Sequence, residues 1–152
     1  MAKADRFKLI NFYPPMIGAG IRVVDTDASF HTITVELRYR WWNKNVFGTA
    51  FGGSLYMMCD PFLVAIMMTQ LGQDYIVWDK GAQIDFVAPG RGTVYAKFRM
   101  TREEIARLQA AAASGQAVLP QYPIEIRDGD GKLVARVLKT LYVRRKRDRG
   151  DA

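Results

Sequence analysis

The stretch that decides how this chain folds is Phe51-Gly-Gly-Ser-Leu-Tyr-Met-Met-Cys-Asp60-Pro-Phe-Leu-Val-Ala-Ile-Met-Met68. It is apolar or small almost throughout, and Asp60 is the only charged residue between Lys44 and Asp74. A helix that is apolar nearly all round belongs inside a core. An ionised carboxylate in such a place is costly unless it is paired, protonated, at a helix end or at a working site. The residues alone allow two arrangements. Asp60-Pro61 makes a good N-cap with proline at the first helical position, starting a helix that runs to Gly72. Alternatively the helix begins near Gly52 and kinks at Pro61, with Asp60 inside it.

The flanking sequence is mostly extended. Ala2 to Tyr13 reads as a short amphipathic helix stopped by Pro14-Pro15. Ile33, Val35, Leu37 and Tyr39 alternate with polar residues, the period of a strand with one buried face, and Ile21 to Asp25 is its hairpin partner. Ile76, Trp78, Ala82, Ile84, Phe86 and Ala88 are expected on one strand face, closed by Pro89-Gly90-Arg91-Gly92. Lys80 shares that face and is expected to reach a carboxylate or a ligand phosphate. Val94, Ala96, Phe98 and Met100 form the next strand. Thr101 and Glu104 make a capping box for a surface helix running to Gly115. Tyr122, Ile124 and Ile126, the turn Asp128-Gly-Asp-Gly131 and the strand Leu133 to Val143 complete a hairpin. Apolar residues on both faces of that last strand suggest a sheet covered on both sides. The order argues for an α+β fold: a mostly antiparallel sheet of about six strands wrapped around one long helix.

One domain, residues 1 to 143, fits the length of 152, with 144 to 152 as a basic tail. The net charge is +7, and the tail contributes five basic residues against two acidic. No aromatic-and-basic alternation accompanies the tail, which argues against nucleic acid. Nothing reads as an export signal or a membrane span, so a cytoplasmic protein is expected. A single cysteine, Cys59, and a single histidine, His31, exclude an internal disulfide and a His/Cys metal cluster. No metal or other cofactor is expected.

Asn45-Val-Phe-Gly-Thr-Ala-Phe51-Gly52-Gly53 leads into the apolar stretch. Glycines at a helix start leave N–H groups open to a carbonyl or oxyanion, though a Gly pair also suits a turn with close packing against a sheet. Asn45 is equally a turn former or a site ligand. The spacing of Asn45, Gly52-Gly53 and Asp60 resembles that of hotdog-fold acyl-CoA thioesterases, in the branch that includes the phenylacetate-pathway enzymes. Lys80-Gly-Ala-Gln-Ile-Asp-Phe-Val-Ala-Pro-Gly-Arg-Gly resembles the third strand and turn of the same family. The resemblance spans nearly the whole chain. It implies a sheet around a central helix, paired protomers, Asn45 placing the thioester or water, the Gly52 N–H polarising the carbonyl, and Asp60 as base or nucleophile. Phe51, Gly53, Lys80 and Arg91 are then the expected substrate-binding positions. The family has His before the paired glycines where this chain has Phe51, and does not need the proline at Pro61.

Eight helical residues rise about 12 Å, so Gly52 and Asp60 of one chain cannot reach the same thioester carbon. A working site needs two protomers, as a dimer or a pair of dimers. The implied activity is hydrolysis of an acyl-CoA to a carboxylic acid and coenzyme A; a non-catalytic hotdog protein binding acyl-CoA or fatty acid is the alternative. A hydratase would need His31 near an acid such as Asp25 or Asp27. Cys59 has no nearby His base. Met57, Met58, Met67 and Met68 read as core filler or as the lining of an adaptable acyl pocket.

Overall fold

The computed structural model describes residues 7–146. A 3-10 turn over Lys8–Phe12 leads into α1, Pro14–Ala19. The expected helix stop at Pro14-Pro15 is instead a helix start, since proline is accepted in the first turn, where its missing N–H has no partner to lose. The early part of the helix expected from Ala2, up to residue 6, lies outside the described residues. Gly20 ends α1 at φ 76°, and β1 (Ile21–Thr26) and β2 (Thr32–Leu37) follow as an antiparallel pair.

The apolar stretch forms α2, Gly52–Met57, and α3, Phe62–Leu71. Then come β3 (Tyr75–Phe86), β4 (Val94–Arg99), α4 (Arg102–Ala111), β5 (Gln121–Asp128) and β6 (Leu133–Arg145). The strands make one six-stranded sheet in the order β1-β2-β4-β5-β6-β3, with antiparallel pairing throughout. Ile33, Val35 and Leu37 of β2, Val94, Ala96 and Phe98 of β4, and Val137, Leu141 and Val143 of β6 are buried with Phe62, Ile66 and Met67 of α3 in one core. Phe62 packs its ring 5.1 Å from that of Phe98. By length and composition Gly52 to Leu71 could cross a membrane, yet half of its apolar window is buried inside this fold.

Thr101 Oγ1 accepts from the Glu104 N–H at 3.1 Å, the expected cap of α4. That helix drives Ile105 and Leu108 into the core and ends before Gly115. β6 continues through Arg145, two residues past the expected end, and the basic residues from 147 on lie outside the described region. Within one chain its second face is open: Arg136 and Leu138 are exposed, and the Tyr142 ring stacks on Trp78 at 4.5 Å.

A phase change in β3 positions the site. Its pairing with β6 skips a residue between Asp79 and Gly81, leaving Lys80 as the extra residue of a bulge. Side chains alternate strictly along a strand, so one inserted residue exchanges its two faces. Before the bulge Val77 is buried and Trp78 exposed. Asp79 sits opposite Leu141, on the inward side, and Ile84 after the bulge sits opposite Val137. The expectation of one continuous face from Ile76 to Phe86 fails for this reason, and Lys80 stands exposed rather than among apolar neighbours.

Candidate active site

Pro61 has no N–H, so the Met57 carbonyl loses its helical donor. The Asp60 N–H takes that place at 3.1 Å, which closes a tight turn between α2 and α3. α3 starts with Pro61 as its N-cap and has no side-chain cap, so Asp60 does not cap it. The helix begins at Gly52 and breaks at the proline. The Asp60 carboxylate is thereby free of its own backbone, and its Oδ1 accepts from Lys139 Nζ at 3.2 Å.

Lys139 lies on the inward face of β6 between Val137 and Leu141, with a fully buried side chain. A buried ammonium needs charge compensation, and it has two carboxylates. Asp79 Oδ2 stands 2.8 Å from Nζ, beside Asp60. The Tyr56 ring lies 5.3 Å away, within range of a cation–π contact. Burial alone would lower the Lys139 amine. The hydrogen bond to Asp79 and the charges of Asp79 and Asp60 outweigh it, hold the amine above the usual lysine value and keep it an ammonium at neutral pH. The hydrogen bond with Asp79, helped by Lys139, overcomes burial and holds Asp60 below the usual aspartate value. Burial, reinforced by the hydrogen bond with Asp60, pushes Asp79 up to about 6 against the pull of Lys139. The Oδ1 of Asp79 is buried with no donor among the described residues, a place suited to a proton. Two acids with divergent ionisation around one ammonium can divide the roles of base and proton holder.

The other end of α2 holds a second arrangement. The N–H groups of Gly52 and Gly53 precede the first intrahelical bonds, since Ser54 and Leu55 are the first to donate, both to the Phe51 carbonyl. A Cβ on Gly52 would lie 2.9 Å from the Phe86 ring, and one on Gly53 2.6 Å from the Phe51 ring. The paired glycines are therefore seats for two phenyl rings, both largely exposed. A cavity of about 370 Å³ opens here, lined by Asn45, Gly52, Leu55, Phe86 and the Pro89-Gly90 turn. Ala50 ties its loop to that turn by donating to the Gly90 carbonyl at 2.8 Å.

The structure brings Asn45 and Gly52 together and leaves Asp60 at the far end of α2. Asn45 is committed to its own loop: Oδ1 accepts from the N–H groups of Phe47 and Thr49, and Nδ2 donates to Thr49 Oγ1. Phe51 and Gly53 flank the helix start, with Phe51 lining a separate cavity beside Ser54 and Met57. Arg91 lies beyond Pro89 in a depression shared with Asp128, Asp130 and Lys132. His31 meets Asp27 only through its backbone N–H, and its Nδ1 is hydrogen-bonded to the Met100 carbonyl, so no imidazole–carboxylate pair forms. Cys59 is fully buried, and burial pushes its thiol up to about 12, which leaves it inert. Met58 and Met67 are core residues, while Met68 is exposed.

Lys139 and Asp79 are missing from the sequence-based site. Lys139 was visible as the one charge among the alternating inward residues Ala135, Val137, Leu141 and Val143. Asp79 was hidden by the bulge.

Over residues 6–143 the chain matches a family model described as "Domain of unknown function (DUF4442)". The chain belongs to this family. No curated protein matches it. Among solved structures it is similar to PA5026 of Pseudomonas aeruginosa, a protein of unknown function described as a probable thioesterase, at 17% identity. That alignment covers 93% of this chain and 95% of the other, with TM-score 0.80. The thioesterase HI1161 of Haemophilus influenzae aligns at 15% identity over 99% and 96% of the two chains, TM-score 0.69. The PaaI protein of the E. coli phenylacetic acid degradation operon aligns at 17% identity over 96% of each, TM-score 0.59. These likenesses establish the hotdog fold for this DUF4442 chain.

Proposed function

We propose that this protein is a thioester hydrolase that cleaves an acyl-CoA to a carboxylic acid and free coenzyme A between two copies of the chain. The observation that carries the reading is the Asp60 carboxylate, held through Oδ1 by a buried ammonium, ionised, and still 52% exposed. A desolvated cation spent on an exposed carboxylate is a costly arrangement for structure alone. Asp60 either takes a proton from water as it adds to the thioester carbonyl, or attacks the carbonyl itself to form an anhydride that water opens. In the first route Asp60 passes the proton it took from water to the departing thiolate; in the second the thiolate is protonated by solvent, and the water that opens the anhydride restores the Asp60 carboxylate and frees the acid. The Gly52 N–H of the second copy polarises the carbonyl oxygen, because Gly52 and Asp60 of one chain stand eight residues apart, at the start of α2 and past its end, about 12 Å by helical rise. The apolar cavity beside Gly52 supports an acyl subsite, and Phe51, Gly53, Lys80 and Arg91 are the remaining substrate contacts in this proposal.

The free edge of β3 supports the pairing of two copies, since a twelve-residue edge strand with exposed Trp78 and Phe86 invites another strand. The open outer face of β6 leaves room for a second dimer. The same proposal holds that the protein works in the cytoplasm, without a nucleic-acid or membrane partner.

A second reading, a non-catalytic binder of acyl-CoA or fatty acid, is favoured by one observation. Phe51 and Phe86 put phenyl rings against the glycines where the family's polar contact stands, and Asn45 is spent on its loop. Thiol release from short-chain, long-chain and aromatic acyl-CoAs separates the two. Asp60→Asn should keep fold and assembly and lower turnover by a factor of about 10² or more with binding retained. A mutant as active as the wild type would move the reading to the binder.

A further inference from the structure

The most expensive side chain in this core is Lys139, a fully buried lysine. Its ammonium is anchored at 2.8 Å on Asp79 and reaches 3.2 Å to Asp60 Oδ1. We propose that Lys139, steadied by Asp79, is a positioning residue for Asp60: it pins Oδ1 and leaves Oδ2 as the oxygen presented to the reacting carbon or water. The inference rests on the reading of Asp60 as the reacting carboxylate.

Three features of the fold support it. Asp60 sits in the break between α2 and α3, where no helical ladder fixes its orientation, so a side-chain tether has to do so. Lys139 extends from the middle of the 13-residue β6, paired on both sides, which makes the tether's base rigid. Asp79 is held inward by its pairing opposite Leu141, on the strand that carries the open edge, so it steadies Lys139 from the side on which a second copy would approach. The ionisable groups that face Asp60 are Lys139 from β6, Asp79 from β3 and the neutral Cys59 beside it, with Tyr56 of α2 against Lys139. Lys139 is the only cation among them. Loss of its charge therefore both loosens Asp60 and makes it easier to protonate.

A purely structural ion cluster would affect melting but not the division between kcat and KM. Thiol release from the acyl-CoA panel is to be measured for wild type, Asp60→Asn, Lys139→Met and Asp79→Asn, with carbon-13 carboxyl titration of Asp60. Lys139→Met should lower kcat at least about tenfold with KM changed by less than about twofold, as expected for a displaced catalytic group. The Asp60 titration and the acid limb of the rate profile should move to higher pH. Asp79→Asn, nearly isosteric, should lower kcat by a smaller factor, again without a change in KM. If Asp60→Asn abolishes turnover while folded Lys139→Met keeps wild-type kcat and acid limb, the proposal is overturned and the hydrolase reading stands. If Lys139→Met does not fold, a wild-type kcat in Asp79→Asn overturns it instead. Should Asp60→Asn be fully active, or no thioester be cleaved, the hydrolase reading falls and takes this proposal with it.

Discussion

Replacing Lys139 by methionine keeps the length of the buried stem and removes one charge. The two carboxylates it joins, Asp60 at 3.2 Å and Asp79 at 2.8 Å, then face each other without a cation. Breaking a fully buried pair costs about 3–5 kcal/mol. Here Asp60 keeps half its side-chain exposure and behaves more like a surface partner, whereas Asp79 is only 24% exposed. The discounted cost is therefore about 2–3 kcal/mol at pH 8, or roughly 4–12 °C in Tm for a chain of this size. The pH dependence follows from the acids. Asp79 has a folded-state value raised to about 6, so the folded chain binds its proton more readily and this contribution to stability is lost as pH rises toward 6. Asp60 is held low, so its contribution is present above the usual aspartate value and lost as pH falls below it. With Lys139 gone, protonation of Asp79 removes one orphan charge, and the penalty should shrink between pH 8 and pH 5. Urea unfolding at fixed protein concentration measures it, with an unchanged slope as the check on two-state behaviour. The double variant with Asp79→Asn should recover most of the loss. A cost under about 1 kcal/mol at pH 8, or one that grows toward pH 5, would refute the ion cluster as the origin of the effect.

Two further perturbations follow. Phe51→His restores the polar residue of the resembled family at an exposed position and should raise thiol release without lowering Tm; unchanged turnover would favour the binder. Gly20→Ala puts a Cβ 2.8 Å from the Arg38 carbonyl oxygen and 2.4 Å from Asn43 Nδ2 at φ 76°. It should cost at least about 1–2 kcal/mol by the left-handed backbone alone, read by thermal melting.

The strands that alternate cleanly were legible because burial on one face writes itself into every second residue: Ile33, Val35 and Leu37 in β2, Val94, Ala96 and Phe98 in β4. The α4 cap was legible because Thr101 and Glu104 meet through local chemistry. Asp60 stood out because charge in an apolar helix is costly wherever the helix lies. Its partners were not legible, because they come from strands 79 and 19 positions away in the chain. The core does bury a lysine, but it is Lys139, opposite Ala82 on the neighbouring strand, while Lys80 is the unpaired residue of the bulge and stands exposed. Gly81, a weak residue for a strand interior, was the available hint of that bulge. At the N-terminal end, Pro14-Pro15 supports either the end or the start of a helix, and only the packing of Met16 and Ala19 decides between them.

The bulge at Lys80 puts the two halves of β3 in different phases: Val77 and Asp79 face inward at odd positions, Ile84 at an even one. Removing Lys80 would leave Asp79 opposite Leu141 and Gly81 opposite Thr140 in regular pairing, so the extra residue can be lost without turning the aspartate away from the ammonium. Within DUF4442, a column-by-column alignment that slides across this position would pair residues from opposite faces of the sheet. In a relative the counterpart of Asp79 is therefore the residue paired with the counterpart of Leu141, whatever the number of residues between it and the counterpart of Ile84.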